Sequence, residues 1–320
     1  MFYFTIEKKM SRQITDTLMM IRPVSFYMNE QTAVNNYYQK KLEGLSNEQV
    51  QDKALSEFDG FVAKLRTAGV NVEVFDDTPD PSTPDSIFPN NWVSFHESGK
   101  VWLYPMYAIN RRLERREDLL ESLSEKFEIE SVDGFLDWEM DNKFLEGTGS
   151  LILDRQNKIA YAAISERTNP DVLADFIEKT GYKVVSFIAN QTVNGQRLPI
   201  YHTNVMMCLG ESFAVICADC IDDEKERQCV IDSLEKTNKE IVYITEEQKG
   251  RFAGNMLQVQ NATGDKFVVM SRAAFTSLTE EQKEQLSKHG QLLHSSLDTI
   301  EALGGGSARC MMAEVFLPKK

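Results

Sequence analysis

The chain has 320 residues, of which 42% are hydrophobic and 26% charged, and its formal net charge is −14. This is an ordinary globular composition with enough apolar mass for a large core, so a disordered, collagenous or disulfide-stapled chain is excluded. Because the basic clusters are short and embedded among acids, nucleic-acid binding is not expected. No apolar run reaches the ~18 residues that would span a bilayer, so no membrane association is expected either.

We expect residues 1–320 to form one domain, with residues 1–16 as a leader for which disorder is one interpretation. This segment lacks the basic region and cleavage site of a signal peptide. Among the five cysteines, Cys217 and Cys220 have the spacing of half a zinc site, but no second pair accompanies them, so we interpret them as small core residues. Thiols without a pairing framework are typical of a reducing compartment and predict a cytoplasmic protein.

An amphipathic helix followed by a short β-rich strand recurs along the chain. The helices are predicted within residues 46–69, 111–126, 169–181, 223–238 and 279–290. The strands that follow are predicted at residues 70–75, 127–132, 182–188, 239–245 and 291–297. Asn169-Pro170 is a helix-start signal, and Thr279 with Gln282 has the spacing of a capping box. Such a period favours a repeat architecture.

Each helix–strand unit is followed by a loop and then by further strand sequence. The loop-and-strand segments are DSIFPNNWVSF, FLEGTGSLILD, YHTNVMMCLG, FAGNMLQVQN and GGGSARCMMAEVF. The first four have another strand behind them, whereas the fifth ends with the chain, and we expect residues 17–26 to supply the missing strand. The prediction is an α/β fold of five ββαβ-type blades with pseudo-fivefold symmetry, a propeller ring closed by the N-terminal strand. The alternative is a generic α/β domain with coincidental spacing.

In such a ring the loops that lead into the inner strands converge on the axis, where a site would stand on rigid elements. A thiol, an imidazole and a carboxylate from different blades are the components of a covalent cysteine enzyme. Three glycines before Cys310 let the backbone pass close to a ligand. We interpret Asn255 as a residue that holds its loop. The loops carry Asp85, Asn90, Asn91, Glu146, His202, Asn204, Asn255 and Cys310.

The motifs PDSIFPNNW, FLEGTGS, SERTN, HTN and GGGSARCM occur in this order over essentially the whole chain. In this arrangement the sequence resembles the pentein superfamily of guanidino-group-modifying enzymes. That group includes arginine deiminases, dimethylarginine dimethylaminohydrolases and amidinotransferases. The nearest resemblance is to the amidinotransferase-like branch that includes the citrulline-degrading hydrolases. The resemblance implies a five-bladed α/β-propeller.

The resemblance also implies residue roles. Cys310 would be the nucleophile, His202 a general acid and then a general base, and Glu146 the carboxylate near both substrate and His202. Arg167, in SERTN, matches the arginine that clamps the substrate α-carboxylate. A second carboxylate-binding arginine is implied at Arg111 or Arg112, of which we select Arg112. No metal or cofactor is required by these motifs.

The sequence departs from relatives that act on guanidinium groups. Asn90 and Asn91 stand where dimethylarginine hydrolases have an acidic pair, and Asn204 stands where arginine deiminases have Asp. A guanidinium presents only N–H donors and needs carboxylate acceptors, whereas a neutral ureido group presents a carbonyl oxygen. Burying carboxylates against a neutral ligand costs several kcal/mol each. Amides at these positions therefore favour a ureido substrate, although Asp85 and Glu146 leave a cationic one open.

The sequence thus predicts a cysteine hydrolase of a small ureido or guanidino amino acid. The favoured reaction is citrulline to ornithine, ammonia and carbon dioxide through an S-carbamoyl-cysteine intermediate. The alternatives are an amidinotransferase, an arginine deiminase or a dimethylarginine hydrolase. A more distant alternative is a non-catalytic binding module of the same fold, against which the retained Cys310, His202 and Glu146 argue. The sequence leaves open whether the chain forms a homodimer.

Overall fold

The computed structural model describes residues 11–320, which form short strands and helices along their whole length. The strands are β1 (Thr17–Arg22), β2 (Asn71–Asp76), β3 (Val93–Phe95), β4 (Lys100–Leu103), β5 (Ser131–Gly134), β6 (Ile152–Asp154), β7 (Ile159–Ala163), β8 (Lys183–Phe187), β9 (Asn190–Val193), β10 (Gln196–Pro199), β11 (Met207–Leu209), β12 (Phe213–Ile216), β13 (Glu240–Tyr243), β14 (Leu257–Gln260), β15 (Lys266–Ser271), β16 (Gln291–Ser295) and β17 (Ala313–Glu314). The helices are α1 (Glu30–Ala33), α2 (Asn47–Thr67), α3 (Glu117–Ser124), α4 (Gly147–Ser150), α5 (Pro170–Thr180), α6 (Glu224–Lys236), α7 (Glu246–Gly250), α8 (Arg272–Ser277), α9 (Glu280–Ser287) and α10 (Asp298–Gly304).

Five three-stranded sheets share one connectivity. They are β3-β4-β5, β6-β7-β8, β11-β12-β13, β14-β15-β16 and β17-β1-β2. In each, the first pair is antiparallel and the second is parallel. The fifth sheet combines both ends of the chain, because β1 pairs with β17, with Met19 opposite Ala313. The N-terminal segment therefore supplies the strand that the fifth unit lacks.

Local signals set the helix boundaries that the sequence predicts. Ser46 caps α2 and forms a capping box with Gln49. Asn169 caps α5, with a proline in the first turn, and Thr279 caps α9 in a capping box. One predicted strand is wrong in extent: residues 127–132 were expected, but β5 begins at Ser131, because Phe127 forms a bridge with Lys319 instead.

The described part of the predicted leader packs on the fold. Gln13 and Thr15 are buried and donate to the carbonyls of Leu153 and Val315. Residues 1–10 of that leader lie outside the described residues. Cys217 and Cys220 are buried in the largest hydrophobic cluster, and all five cysteines are free thiols. In residues 11–320 no helix is long and apolar enough to cross a membrane.

The first strands of neighbouring sheets contact one another. β6 touches β11, β11 touches β14, and β17 touches β3. These are the short, buried strands that follow the loops identified in the sequence. The side chains at the ends of those loops are thereby brought to one place.

Candidate active site

Side chains from several loops meet around one buried sulfur. Cys310 is 3% exposed and lies between α10 and β17. The side-chain amides of Asn204 and Asn255 each donate to its Sγ at 3.3 Å. Donors of this kind stabilise a thiolate, which is the nucleophilic form of cysteine. Asn255 also accepts from the backbone N–H of Arg309 at 2.9 Å, so it holds the loop, as expected, and contacts the sulfur, which the sequence interpretation missed.

The glycines before Cys310 allow this close approach. Gly305 has φ of +63°, a conformation that favours glycine. A Cβ on Gly306 would lie 2.9 Å from the ring of Phe88. Gly149, which precedes β6, serves the neighbouring loop in the same way: a Cβ there would lie 2.8 Å from His202 Nδ1 and would clash with the Asn91 amide. The small residues therefore make room for the functional side chains.

His202 and Glu146 form a buried pair. His202 Nε2 and Glu146 Oε2 are 2.7 Å apart, and the other carboxylate oxygen of Glu146 accepts from the Tyr107 N–H at 2.9 Å. Burial acts to raise the pKa of Glu146, but the positive charge of Arg167 and the bond from His202 outweigh it and hold that pKa well below its usual range. Burial lowers the pKa of His202 to about 4, with Glu146 opposing the shift. Glu146 is therefore ionised beside a neutral resting imidazole, which takes up a proton during catalysis if it acts as an acid.

The segment from Asp85 to Asn91 places three predicted binding residues in the same cluster. Asp85 is buried and accepts from Asn29 at 2.8 Å and Thr32 at 3.1 Å. Burial raises the pKa of this carboxyl, with the nearby Arg111 guanidinium acting against it. Asn90 donates to Thr148 at 3.3 Å. In both side chains, one polar atom is hydrogen-bonded within the described part of the protein and the other is not.

Four buried polar atoms of the cluster find no protein hydrogen-bond partner within residues 11–320. Three are acceptors and one is a donor. Buried polar atoms are normally hydrogen-bonded, so a group of unpartnered atoms in one place is suited to binding a polar molecule. They are Asp85 Oδ1, Asn90 Oδ1, Asn204 Oδ1 and Asn91 Nδ2.

Of the two arginines considered, the structure brings Arg111 and not Arg112 into the cluster. Arg111 is 2% exposed, bonds both oxygens of Glu114 at 2.8 and 2.9 Å, and donates to Asn91 Oδ1 at 2.8 Å. The guanidinium of Arg112 instead donates to the Met106 carbonyl and lies over the ring of Phe144. Both residues lie in a 3₁₀ helix, in which neighbours point about 120° apart.

Arg167 lies beside the pair. Its Nη1 is 3.5 Å from Glu146 Oε2, and its guanidinium stacks over Tyr201 at 4.9 Å. Its remaining donors bind the Thr32 carbonyl and the side-chain oxygen of Asn35.

Residues 29–40, which we name the strap, cover the cluster. Asn29 and Thr32 bind Asp85, Asn35 binds Arg167, and Asn36 donates to the carbonyl of Gly304 at 3.3 Å. Sequence reasoning missed this segment. A signal was present, because residues 23–46 between β1 and α2 form an unusually long connection, and long connections are often functional.

Comparison with solved structures shows the same fold. The N-terminal domain of ArgZ bound to product, an arginine dihydrolase from the ornithine-ammonia cycle in cyanobacteria, has a TM-score of 0.72 at 18% identity, with coverage of 94% of this chain and 98% of that chain. A mutant of AgrE in a binary complex with L-arginine has a TM-score of 0.72 at 18% identity, with coverage of 95% and 40%. A dimethylarginine dimethylaminohydrolase adduct with S-methyl-L-thiocitrulline has a TM-score of 0.62 at 15% identity, with coverage of 94% and 99%.

No curated protein matches the chain. A family model does: the one described as N,N dimethylarginine dimethylhydrolase, eukaryotic, matches residues 22–317. This match spans nearly the whole chain and includes every predicted site residue. The chain therefore belongs to this family of the pentein superfamily and is a hydrolase of guanidino C–N bonds.

Proposed function

We propose that this enzyme hydrolyses an arginine-like amino acid and that its pocket also accepts the ureido compound citrulline, from which it releases ornithine. The observation that carries the proposal is the set of unpartnered atoms on Asp85, Asn90, Asn91 and Asn204. The carboxylate and amide oxygens are acceptors for the N–H groups of a guanidinium. An amide nitrogen is a donor for the carbonyl oxygen of a ureido group, which an ionised carboxylate is not.

The first hydrolysis uses the neutral imidazole. As substrate binds, His202 takes the thiol proton of Cys310, and the thiolate attacks the central guanidino carbon. The imidazolium then protonates the terminal nitrogen, which leaves as ammonia, and the sulfur remains bonded to that carbon. His202 next removes a proton from water, which attacks the same carbon and expels the thiolate. One imidazole acting as acid and base is worth about 10²–10⁴-fold in rate.

The second hydrolysis repeats these steps on the ureido group. The thiolate of Cys310 attacks the carbonyl carbon, and His202 protonates the nitrogen that carries the amino-acid chain. Ornithine leaves and an S-carbamoyl-cysteine remains. Water, deprotonated by His202, releases carbamate, which falls to ammonia and carbon dioxide. Glu146 stabilises the imidazolium that forms in both cycles, through its 2.7 Å contact with Nε2.

Arg167 is our candidate for the substrate α-carboxylate. Its guanidinium is 2% exposed and lies within the cluster, and its remaining N–H groups donate to the strap. A carboxylate can replace the Asn35 oxygen at the same donors, and a charged acceptor forms the stronger hydrogen bond. Arg111 is held by Glu114, so we assign it to positioning Asn91.

We also propose that the five sheets are the blades of one closed ring. The pairing of β1 with β17 and the contacts between neighbouring first strands support this arrangement. The free thiols support action in a reducing cytoplasm. A homodimer is a proposal that size-exclusion chromatography with light scattering tests directly.

The deciding experiment offers L-arginine, L-citrulline and dimethylarginine separately to the purified protein and measures ornithine, citrulline, ammonia and dimethylamine. We expect ornithine from arginine and from citrulline. Cys310→Ser should abolish turnover, whereas Cys208→Ser, which alters a buried thiol on β11, should retain it. Arginine turnover that stops at citrulline, or dimethylamine as the only amine released, would overturn the amide argument. No measurable turnover of any of the three substrates would overturn the proposed function.

A further inference from the structure

An open cavity of about 700 Å³ lies beside the candidate active site. The strap forms one wall through Tyr37, Tyr38 and Lys40, and α7 and α10 form others. Its volume is in the range of about 300–1,000 Å³ typical of small-molecule sites. The described residues that line it do not include Cys310, His202 or Glu146. The cavity is thus separate from the reaction centre.

Lys249 lines this cavity as a buried cation that no described carboxylate contacts directly. The residue is 4% exposed, and within residues 11–320 no carboxylate oxygen lies within 4.0 Å of its Nζ. Its ammonium group donates to Gln191 Oε1 at 2.8 Å. Lys239 is buried to a similar degree but is compensated, because Asp154 lies at 3.5 Å and two carbonyls accept from its Nζ. A buried lysine normally has such a partner.

Two further polar atoms beside Lys249 are buried and unpartnered among the described residues. They are Tyr38 OH and Gln191 Nε2, on side chains that are 9% and 5% exposed. Lys249 Nζ lies 5.3 Å from the centre of the Tyr38 ring. An ammonium, a phenol and an amide N–H form a donor set that suits a carboxylate.

The opposite charge lines the same cavity. Glu246, Glu247, Asp298 and Glu301 line its walls. Glu246 already pairs with Arg197 and Asp298 with Arg272, and burial raises the pKa of Glu301 to about 7. Among residues 11–320, Glu247 has no ion-pair partner within 4.0 Å and offers its carboxylate to a ligand. A ligand that carries both a carboxylate and a cationic group would satisfy both sides. We propose that this cavity is a second binding site for a small basic amino acid, whose carboxylate lies at Lys249, Gln191 and Tyr38 and whose cationic group faces the acidic wall.

The proposed site is joined to the reaction centre by aromatic contacts. The Tyr38 ring packs against Tyr201 at 6.2 Å between centres. Tyr201 lies 4.7 Å from the ring of His202, and its hydroxyl donates to the Gly305 carbonyl at 2.7 Å. A ligand bound to Tyr38 therefore holds the strap against residues that border His202 and the loop of Cys310.

The test is calorimetric titration of L-arginine and L-ornithine into Cys310→Ser, which cannot turn substrate over. We expect two binding events. Lys249→Met in this background should weaken one event at least about ten-fold, as loss of a charged donor does, and Tyr38→Phe should weaken the same event. Lys40→Met is the matched control, since Lys40 is an exposed lysine of the same cavity. Its effect should stay below about three-fold, in keeping with the small worth of exposed charges.

Arg167→Lys separates the two sites, because it should weaken only the event at the reaction centre. A single event that Lys249→Met removes would support the second site while contradicting amino-acid binding at the reaction centre. Identical titrations for Cys310→Ser with and without Lys249→Met would overturn the inference. So would a loss with Lys40→Met as large as that with Lys249→Met. If Lys249→Met fails to fold, Tyr38→Phe, which removes one hydroxyl, serves as the test. Weakening of one binding event would support the second site, and a titration identical to that of Cys310→Ser alone would overturn it.

Discussion

Glu146→Gln isolates the charge that the candidate site places beside its imidazole. Glutamine keeps the size of the side chain and an oxygen that accepts from His202, so the orientation of the ring is retained. What is lost is the negative charge 2.7 Å from Nε2. Because the proposed chemistry passes twice through an imidazolium, the charged form of His202 should become harder to reach in this variant.

The size of the effect follows from the contacts. A hydrogen bond to a charged group contributes about 1.5–3 kcal/mol, which corresponds to about a 10- to 150-fold lower kcat. Stability should fall as well. Within residues 11–320, Glu146 is the one carboxylate within 4.0 Å of Arg167, which is 2% exposed. Leaving a buried charge unpaired costs about 3–5 kcal/mol.

Kinetics with L-arginine and chemical unfolding measure the two losses separately. Glu114→Gln is the matched control, since it removes a buried carboxylate that binds Arg111 and touches neither His202 nor Arg167. It should destabilise the protein and raise KM while kcat changes little. The reasoning is refuted if Glu146→Gln keeps kcat within about three-fold of the wild type, or if Glu114→Gln lowers kcat as much.

Three further predictions concern the same cluster. Gly149→Ala should impair kcat, because the new Cβ would lie 2.8 Å from His202 Nδ1, whereas Gly60→Ala, with open space around it, should leave activity unchanged. The pKa of His202 is about 4 when folded and near 6.5 when unfolded, so the unfolded state binds the proton first as pH falls. Stability should therefore drop by up to about 3 kcal/mol between roughly pH 6.5 and 4, and unfolding curves of His202→Gln should lack this part of the slope. Asn204→Asp places an acceptor against Cys310 Sγ; citrulline turnover should fall more than arginine turnover, and an equal loss for both substrates would contradict the amide argument.

Features encoded over a few residues could be predicted from the sequence. The caps at Ser46, Asn169 and Thr279 lie within one turn of the helices that they begin. The positions of His202 and Cys310 followed from the repeat, because each lies just before the first strand of a sheet. The family match bears out the superfamily that these motifs indicated.

Features that depend on distant partners could not be predicted in this way. Phe127 lies outside the strand predicted for it because it pairs instead with Lys319, which is distant in the sequence. The choice between Arg111 and Arg112 depends on Asn91, which reaches the cluster from the loop before β3. Neither contact has a periodic or local signature, so the sequence alone does not show which of the two arginines the fold brings into the cluster.

The strap is another feature that the sequence did not predict, because its partners are distant in the chain. Its contacts also bear on how substrate enters the site. Cys310 and His202 are 3% and 2% exposed and the strap binds the residues around them, so we expect residues 29–40 to move when substrate enters. The strap binds the cluster with groups that resemble a substrate: N–H and O–H donors of Asn29 and Thr32 at Asp85, and an amide oxygen of Asn35 at Arg167. The N–H groups of a guanidinium would replace the donors at Asp85, and an α-carboxylate would replace the acceptor at Arg167. Because each displaced hydrogen bond is re-formed with a charged partner, substrate can offset the loss of the strap contacts, and the closed state need not be an obstacle to binding.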